Sequence, residues 1–129
     1  MPYKPQGYTS VAPYLLTKDA RRVIDFLTAT FNAQPLRRMD DPATGAVRHA
    51  EFRIDDTVIM LAEPSPDYPA MPSMLHVYVK DVDATYAKAL AAGATPIQPP
   101  TVNGNGDTDK RGGVKDPTGN QWWMATQPD

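Results

Sequence analysis

Residues 47–54 (VRHAEFRI) alternate in type, with Ala50, Phe52 and Ile54 on one face of a strand and His49, Glu51 and Arg53 on the other. A carboxylate so placed can serve as a general base or orient a substrate, and a guanidinium beside it can bind an anionic or carbonyl oxygen. The plain structural alternative is a Glu51–Arg53 ion pair on a half-exposed sheet face, with His49 solvated near the strand start. The second histidine, His76, stands between Met74 and Tyr78 in residues 74–80 (MLHVYVK). It is either a hydrogen-bonded core histidine or a ligand contact. Glu51, His76 and Arg53 are the candidate catalytic residues. No nucleophile accompanies them: the chain has no cysteine, no Gly-x-Ser-x-Gly turn and no serine with an evident histidine neighbour.

Trp122 and Trp123 must point to opposite faces of a regular strand. Trp122 is expected under a helix, and Trp123 on the open face, where it either stacks on a planar ligand or simply packs. Alternation sends Val11, Leu15, Leu75, Val77, Val79 and Met124 toward the helices with Trp122. It sends Ala12, Tyr14, Leu16, Val58, Met60, Met74, Tyr78, Arg111, Gly113, Lys115 and Gln121 to the open face. Aromatic rings and adaptable methionines with a few convergent charges are the texture of a small-molecule pocket. The expected ligand-binding residues are Tyr14, His49, Glu51, Arg53, Met60, Met74, His76, Tyr78, Arg111 and Trp123.

These side chains need strands to hold them, and the strand signals come in two series. Residues 9–17 (TSVAPYLLT) read as an irregular strand containing Pro13. Asp19 is placed to cap a helix carrying Val23, Ile24, Leu27 and Phe31, ending near Asn32. Strands follow at 36–39, 47–54 and 57–62, with a turn at 40–45. Residues 63–73 (EPSPDYPAMPS) form a proline-rich linker. The order then repeats: a strand at 74–80, a helix capped by Asp81 or Asp83 and ending at Gly93, then strands at 94–98, 112–115 and 121–126. Residues 102–109 (VNGNGDTD) read as a polar loop. The loop lacks the ending and following helix of a phosphate cradle, so it is expected as a mobile lip. Lys110, Arg111 and Lys115 beside it either meet an anion or are simply solvated.

The expectation is an α+β fold of two βαβββ modules, at about residues 8–62 and 74–127, within one domain covering 1–129. Each module has roughly 55–60 residues, too few to bury much alone, so the two should share a core.

The chain has 129 residues, a net charge of −2 and no basic run longer than Lys110-Arg111. Neither a nucleic-acid surface nor a membrane span is indicated. Residues 1–8 are polar and do not read as a signal peptide, and the expected location is cytoplasmic.

Several stretches resemble the vicinal-oxygen-chelate (glyoxalase/bleomycin-resistance) superfamily, and within it the PhnB-like branch. They are Tyr3-Lys4-Pro5-Gln6-Gly7-Tyr8, His49-Ala50-Glu51, Asp81-Val82-Asp83-Ala84, and Lys110-Arg111-Gly112-Gly113-Val114-Lys115-Asp116 leading through Asp116-Pro117-Thr118-Gly119-Asn120 to Gln121-Trp122-Trp123. The resemblance implies curved mixed sheets with helices on the convex side and a cup for ligand and metal. Many members are dimers whose cups can be completed by strands from the partner, so a homodimer is expected, with cups formed either within one chain or across two.

Metal-dependent members take one ligand from the first and one from the last strand of each module. Local landmarks place those positions at Ala12, Met60, Met74 and Trp123, which cannot hold a hard or borderline divalent ion. Two methionines alone are a poor copper(I) site. A two-residue slip would instead bring in His76, with Glu51 and His49, as an atypical site. The expectation is no metal and no cofactor. Three functions then compete: a metal-free binder of a planar or aromatic molecule, quinone-like or antibiotic-like; a metal-independent isomerase or lyase using Glu51, His76 and Arg53 on a carbonyl substrate; and a divalent-metal glyoxalase or dioxygenase, which the ligand positions disfavour.

Overall fold

The structure is a computed structural model that describes residues 2–128. Its elements run β1 (Tyr14–Leu16), α1 (Ala20–Phe31), β2 (Gln34–Asp40), β3 (Val47–Ile54), β4 (Thr57–Ala62), β5 (Met74–Tyr78), α2 (Val82–Ala91), β6 (Thr95–Gly104), β7 (Asp107–Lys115) and β8 (Gln121–Thr126). They make two mixed four-stranded sheets, ordered β1-β4-β3-β2 and β5-β8-β7-β6. In each, the first strand lies parallel to the last, and the other pairs are antiparallel. The expected tandem βαβββ fold is the fold found.

One apolar core serves both sheets. Leu15, Ala50, Phe52, Ile54, Ile59 and Leu61 from the first join Val114, Trp122 and Met124 from the second, with Val23, Phe26 and Leu27 of α1. Trp122 is the joint: its ring lies 6.2 Å from Phe26 and 5.5 Å from Phe31, so a helix of the first module packs on a strand of the second. Its indole nitrogen donates to buried Asp116 at 2.9 Å. Asp116 also accepts from the amides of Thr118 and Asn120 and from the Asn120 side chain. The Asp-Pro-Thr-Gly-Asn turn thus folds around one carboxylate, which also satisfies the buried indole. Residues 63–73 carry no helix or strand. They are tied to both modules, by Met71 N–H donating to Leu16 O and Ser73 N–H to Asn120 Oδ1.

Three local expectations need correction. The first strand begins at Tyr14 because Pro13 has no N–H to give, and Val11, expected toward the helices, is 84% exposed. Asp19 adopts a left-handed conformation (φ 53°) and its side chain caps nothing among the described residues, whereas Asp81 caps α2 by accepting from Ala84 N–H. Residues 102–109 are not a loop. They are the ends of β6 and β7, joined by a turn in which Gly104, Asn105 and Gly106 all have positive φ. Val58 lies on the open face as expected, opposite Arg53, and is fully buried there.

Candidate functional site

On the open face of the first sheet, β3 presents His49 and Glu51. Glu51 lies between Met60 of β4 and Arg37 of β2, and His49 faces Met39. Glu51 is only 3% exposed. Its Oε1 accepts from Tyr8 Oη at 2.5 Å and its Oε2 from His49 Nε2 at 2.7 Å. The other imidazole nitrogen, Nδ1, lies 3.0 Å from Tyr14 Oη. Burial pushes the Glu51 carboxyl up, but the hydrogen bonds from Tyr8 and His49 and the charges of His49 and Arg37 outweigh it and hold it below its ordinary value. The same contact with Glu51 raises Tyr8.

Arg53 does not pair with Glu51. Its Nη2 donates to Gly7 O at 3.3 Å, and its Nε is buried without a partner among the described residues. Residues 7 and 8 therefore cross the open end of β3 and engage both charged residues. Neither single-strand alternation nor motif spacing assigns Tyr8 this role; its only signal was the Gly7-Tyr8 pair in the family resemblance.

On the second sheet, Arg111 of β7 is the hub. Its Nε donates to His76 Nε2 at 3.0 Å, Nη1 to Asp107 at 2.5 Å and Nη2 to Asp109 at 3.2 Å. Tyr78 Oη donates to the same Asp109 oxygen at 2.7 Å. Burial and the Arg111 charge hold His76 below its ordinary value, so at neutral pH it is the acceptor this bond requires. The His76 and Tyr78 rings meet edge to face at 4.9 Å. Beside them, Trp123 lies over Gly113: a Cβ there would come within 2.7 Å of the indole carbons. Trp123 Nε1 is fixed by Gln121 Oε1 at 3.1 Å. Lys110 pairs with Asp83 and Arg111 with two aspartates, so neither is a free anion site.

The expected residues thus form two groups. Tyr14, His49, Glu51 and Met60 gather on the first sheet, and His76, Tyr78, Arg111 and Trp123 on the second. Glu51, His76 and Arg53 do not form one trio: His76 is bonded on the other sheet and Arg53 turns to Gly7. Two cavities border these groups. One of about 580 Å³ lies between β1 and β5, where Tyr14, Met74, His76 and Tyr78 meet the core-side Ile59, Leu75 and Trp122. Another, of about 640 Å³, lies under the linker against Tyr14, Leu16, Val47, Ala62, Pro64 and Tyr68. Both fall within the usual range for small ligands.

The sequence profile of the Glyoxalase/Bleomycin resistance protein/Dioxygenase superfamily matches residues 8–124. The chain belongs to this superfamily. An uncharacterized protein of Mycobacterium bovis is 34% identical over 127 residues, covering 90% of this chain and 82% of that protein. Among solved structures, TioX from Micromonospora sp. ML1 superposes with a TM-score of 0.75 at 25% identity, covering 93% of this chain and 99% of TioX. TnmS3, an antibiotic binding protein from Streptomyces sp. CB03234, has a TM-score of 0.70 at 19% identity, covering 94% of this chain and 100% of TnmS3.

The positions that the resemblance assigns to metal ligands can be tested on the side chains present, although Ala12 precedes β1 rather than lying on it. A methyl group, two thioethers and an indole stand at Ala12, Met60, Met74 and Trp123, and the indole is held over Gly113. This donor set does not fit a hard or borderline divalent ion. The alternative set is not assembled either. His49 and Glu51 bond each other, His76 bonds Arg111, and no group of three His, Cys, Asp or Glu side chains suited to one ion occurs among the described residues. No helix among them is long and apolar enough to cross a membrane.

Proposed function

We propose that the chain is a metal-free, glyoxalase-like protein of the PhnB-like branch that binds a small planar or aromatic molecule in the sheet cup. The observation that carries this reading is Trp123 lying over Gly113, with His76, Tyr78 and Met74 beside it on the same face. A flat ring fixed by the backbone beneath it is a stacking surface already in its bound geometry, so little ordering cost is incurred on binding. That TnmS3 is an antibiotic binding protein supports a quinone-like or antibiotic-like ligand. Met74 is 70% and Tyr78 62% exposed, a face that a second copy would cover. The reading therefore includes a cytoplasmic homodimer with a small-molecule ligand and no nucleic-acid or membrane partner.

Thermal-shift screening with planar compounds finds ligands, because binding to the native state alone raises its stability. Tryptophan fluorescence then tests the platform. Trp122 is fully buried, so quenching by a bound ring should come from Trp123 and vanish in Trp123→Phe. Quenching that survives the substitution removes the stacking role. Light scattering tests the dimer.

A further inference from the structure

Tyr14, His49 and Glu51 form a hydrogen-bonded chain ending at a phenol that is 45% exposed. The order of groups along the chain defines a path for a proton. Glu51 is ionised at neutral pH and can only accept, so His49 carries its proton on Nε2. In the neutral imidazole Nδ1 then holds a lone pair, to which Tyr14 Oη, 3.0 Å away, can donate. Hydroxyl, imidazole and buried carboxylate stand in the order in which a catalytic triad activates its hydroxyl. Here the hydroxyl is a phenol, and its oxygen still has a lone pair to accept a proton from outside.

We infer that the first sheet takes a ligand bearing an acidic hydroxyl, a phenol, and binds it as the phenolate with the proton stored on His49. This rests on reading the cup as a small-molecule site and goes beyond it by naming the group the ligand carries. The ligand O–H bond breaks as a new O–H bond forms on Tyr14 Oη. The former Tyr14 proton forms an N–H bond at His49 Nδ1. Tyr14 stays neutral and now donates to the phenolate, and the imidazolium is stabilised by Glu51. No oxidant, metal or other reactant is needed. The cavity against Tyr14 suits the ligand's ring, since Leu16, Val47, Ala62 and Pro64 wall it.

Other charged groups face this relay. Arg37 of β2 and Arg53 of β3 act on Glu51 or Tyr8, and Tyr8 itself bonds Glu51. Across the cavity, Asp41 is paired with Arg48, and Glu63 accepts from Val47 N–H. Arg37 and Arg53 could also favour a bound phenolate through their charge alone, so the test must separate them from His49.

The probe is p-nitrophenol, whose visible absorption marks the phenolate. On wild-type protein its titration midpoint should fall by about one pH unit on binding, a tenfold rise in acidity. His49→Gln can still bridge Tyr14 and Glu51 but cannot take a proton, so it should bind the probe with the solution midpoint. Tyr14→Phe should do the same, and thermal melts verify that both variants are folded. The proposal is overturned if wild type binds no nitrophenol, if the bound midpoint does not fall, or if His49→Gln shifts it as wild type does. The last result assigns the effect to Arg37 and Arg53. A planar aromatic without a hydroxyl that quenches Trp123, with nitrophenol unbound, sinks this proposal and leaves the second-sheet platform standing. Nitrophenol shifting normally, with no planar compound quenching Trp123, has the opposite meaning.

Discussion

Tyr14 and His76 hold matching places in the two sheets. Each lies on the first strand of its module, opposite Met60 and Trp123 of the last, and those residues pair in turn with Glu51 and Gly113. Each also bonds the residue two places before that third partner, Tyr14 to His49 and His76 to Arg111. One backbone geometry therefore carries two different sites. Where the first sheet has a buried carboxylate, the second has no side chain at all, and an indole fills the space.

Gly113 is the residue that lets Trp123 lie flat. In Gly113→Ala the new methyl would sit 2.7 Å from the indole carbons, and a residue within a paired strand cannot retreat. The ring must lift or turn, at a cost of about 1–3 kcal/mol by the usual scale of overpacking. Denaturant unfolding should show the loss, and quenching by planar compounds should weaken without vanishing as it does in Trp123→Phe. Wild-type stability in Gly113→Ala would mean the indole is not pressed on the backbone.

Trp122→Phe tests the joint between the modules. It removes part of the ring that meets Phe26 and Phe31 and takes the indole N–H from buried Asp116. The carboxylate keeps its bonds from the Thr118 and Asn120 amides, so the turn should survive. A cavity and a lost charge-assisted hydrogen bond together predict about 2–4 kcal/mol of destabilisation. Because the core is shared, far-ultraviolet dichroism and Trp123 fluorescence should still report a single coincident transition. Two separated transitions would mean the halves unfold independently.

Arg111→Met should cost stability through its partners rather than its own charge. Asp109, nearly buried, would keep only the Tyr78 hydroxyl as a side-chain partner, and His76 would lose its donor. A loss of about 1–3 kcal/mol is expected. It should shrink when Asp109→Asn is added, because the stranded charge is then gone. A double-mutant cycle in unfolding free energy checks this, and strictly additive effects would refute the coupling.

The fold was legible because strand alternation and turn chemistry are local. Phe52 and Glu51, or Trp122 and Trp123, are sorted to opposite faces by parity alone. The Asp116 turn is marked by Pro117 and Gly119 before the structure shows what the carboxylate bonds. Parity fails where a distant segment supplies the partner. It set Glu51 beside Arg53, but the strand does not reveal that residues 7 and 8 cross over it and take both. It identified His76 without Arg111 as its donor, because that pairing depends on β5 and β7 lying on either side of β8. The hairpin at residues 104–106 was masked by polar, glycine-rich composition, which a tight turn and a long loop share.

Stability should have a plateau near neutral pH with different groups at its acid and alkaline edges. His76 and Glu51 are both held below their ordinary values of 6.5 and 4.5. For a group depressed by folding, the contribution is complete above the unfolded value and is lost as pH falls through the folded one. Acidification should therefore weaken the protein first as His76 takes a proton and repels Arg111. It should weaken it again below about 4.5 as Glu51 loses its hold on His49 and Tyr8. Tyr8 is shifted the other way, above its ordinary value of 10.0, so its contribution is present below that value and lost as pH rises through the folded one. Urea midpoints measured across pH for wild type, His76→Gln and Glu51→Gln separate the edges. His76→Gln should flatten only the first acid step. Glu51→Gln should shrink the second step and the alkaline step, since Tyr8 then faces a neutral amide, while Asp40, Asp41 and Asp107 stay lowered and Tyr78 stays raised by Asp109. An alkaline step unchanged in Glu51→Gln would show that the Tyr8–Glu51 bond does not hold the N-terminal arm on the sheet.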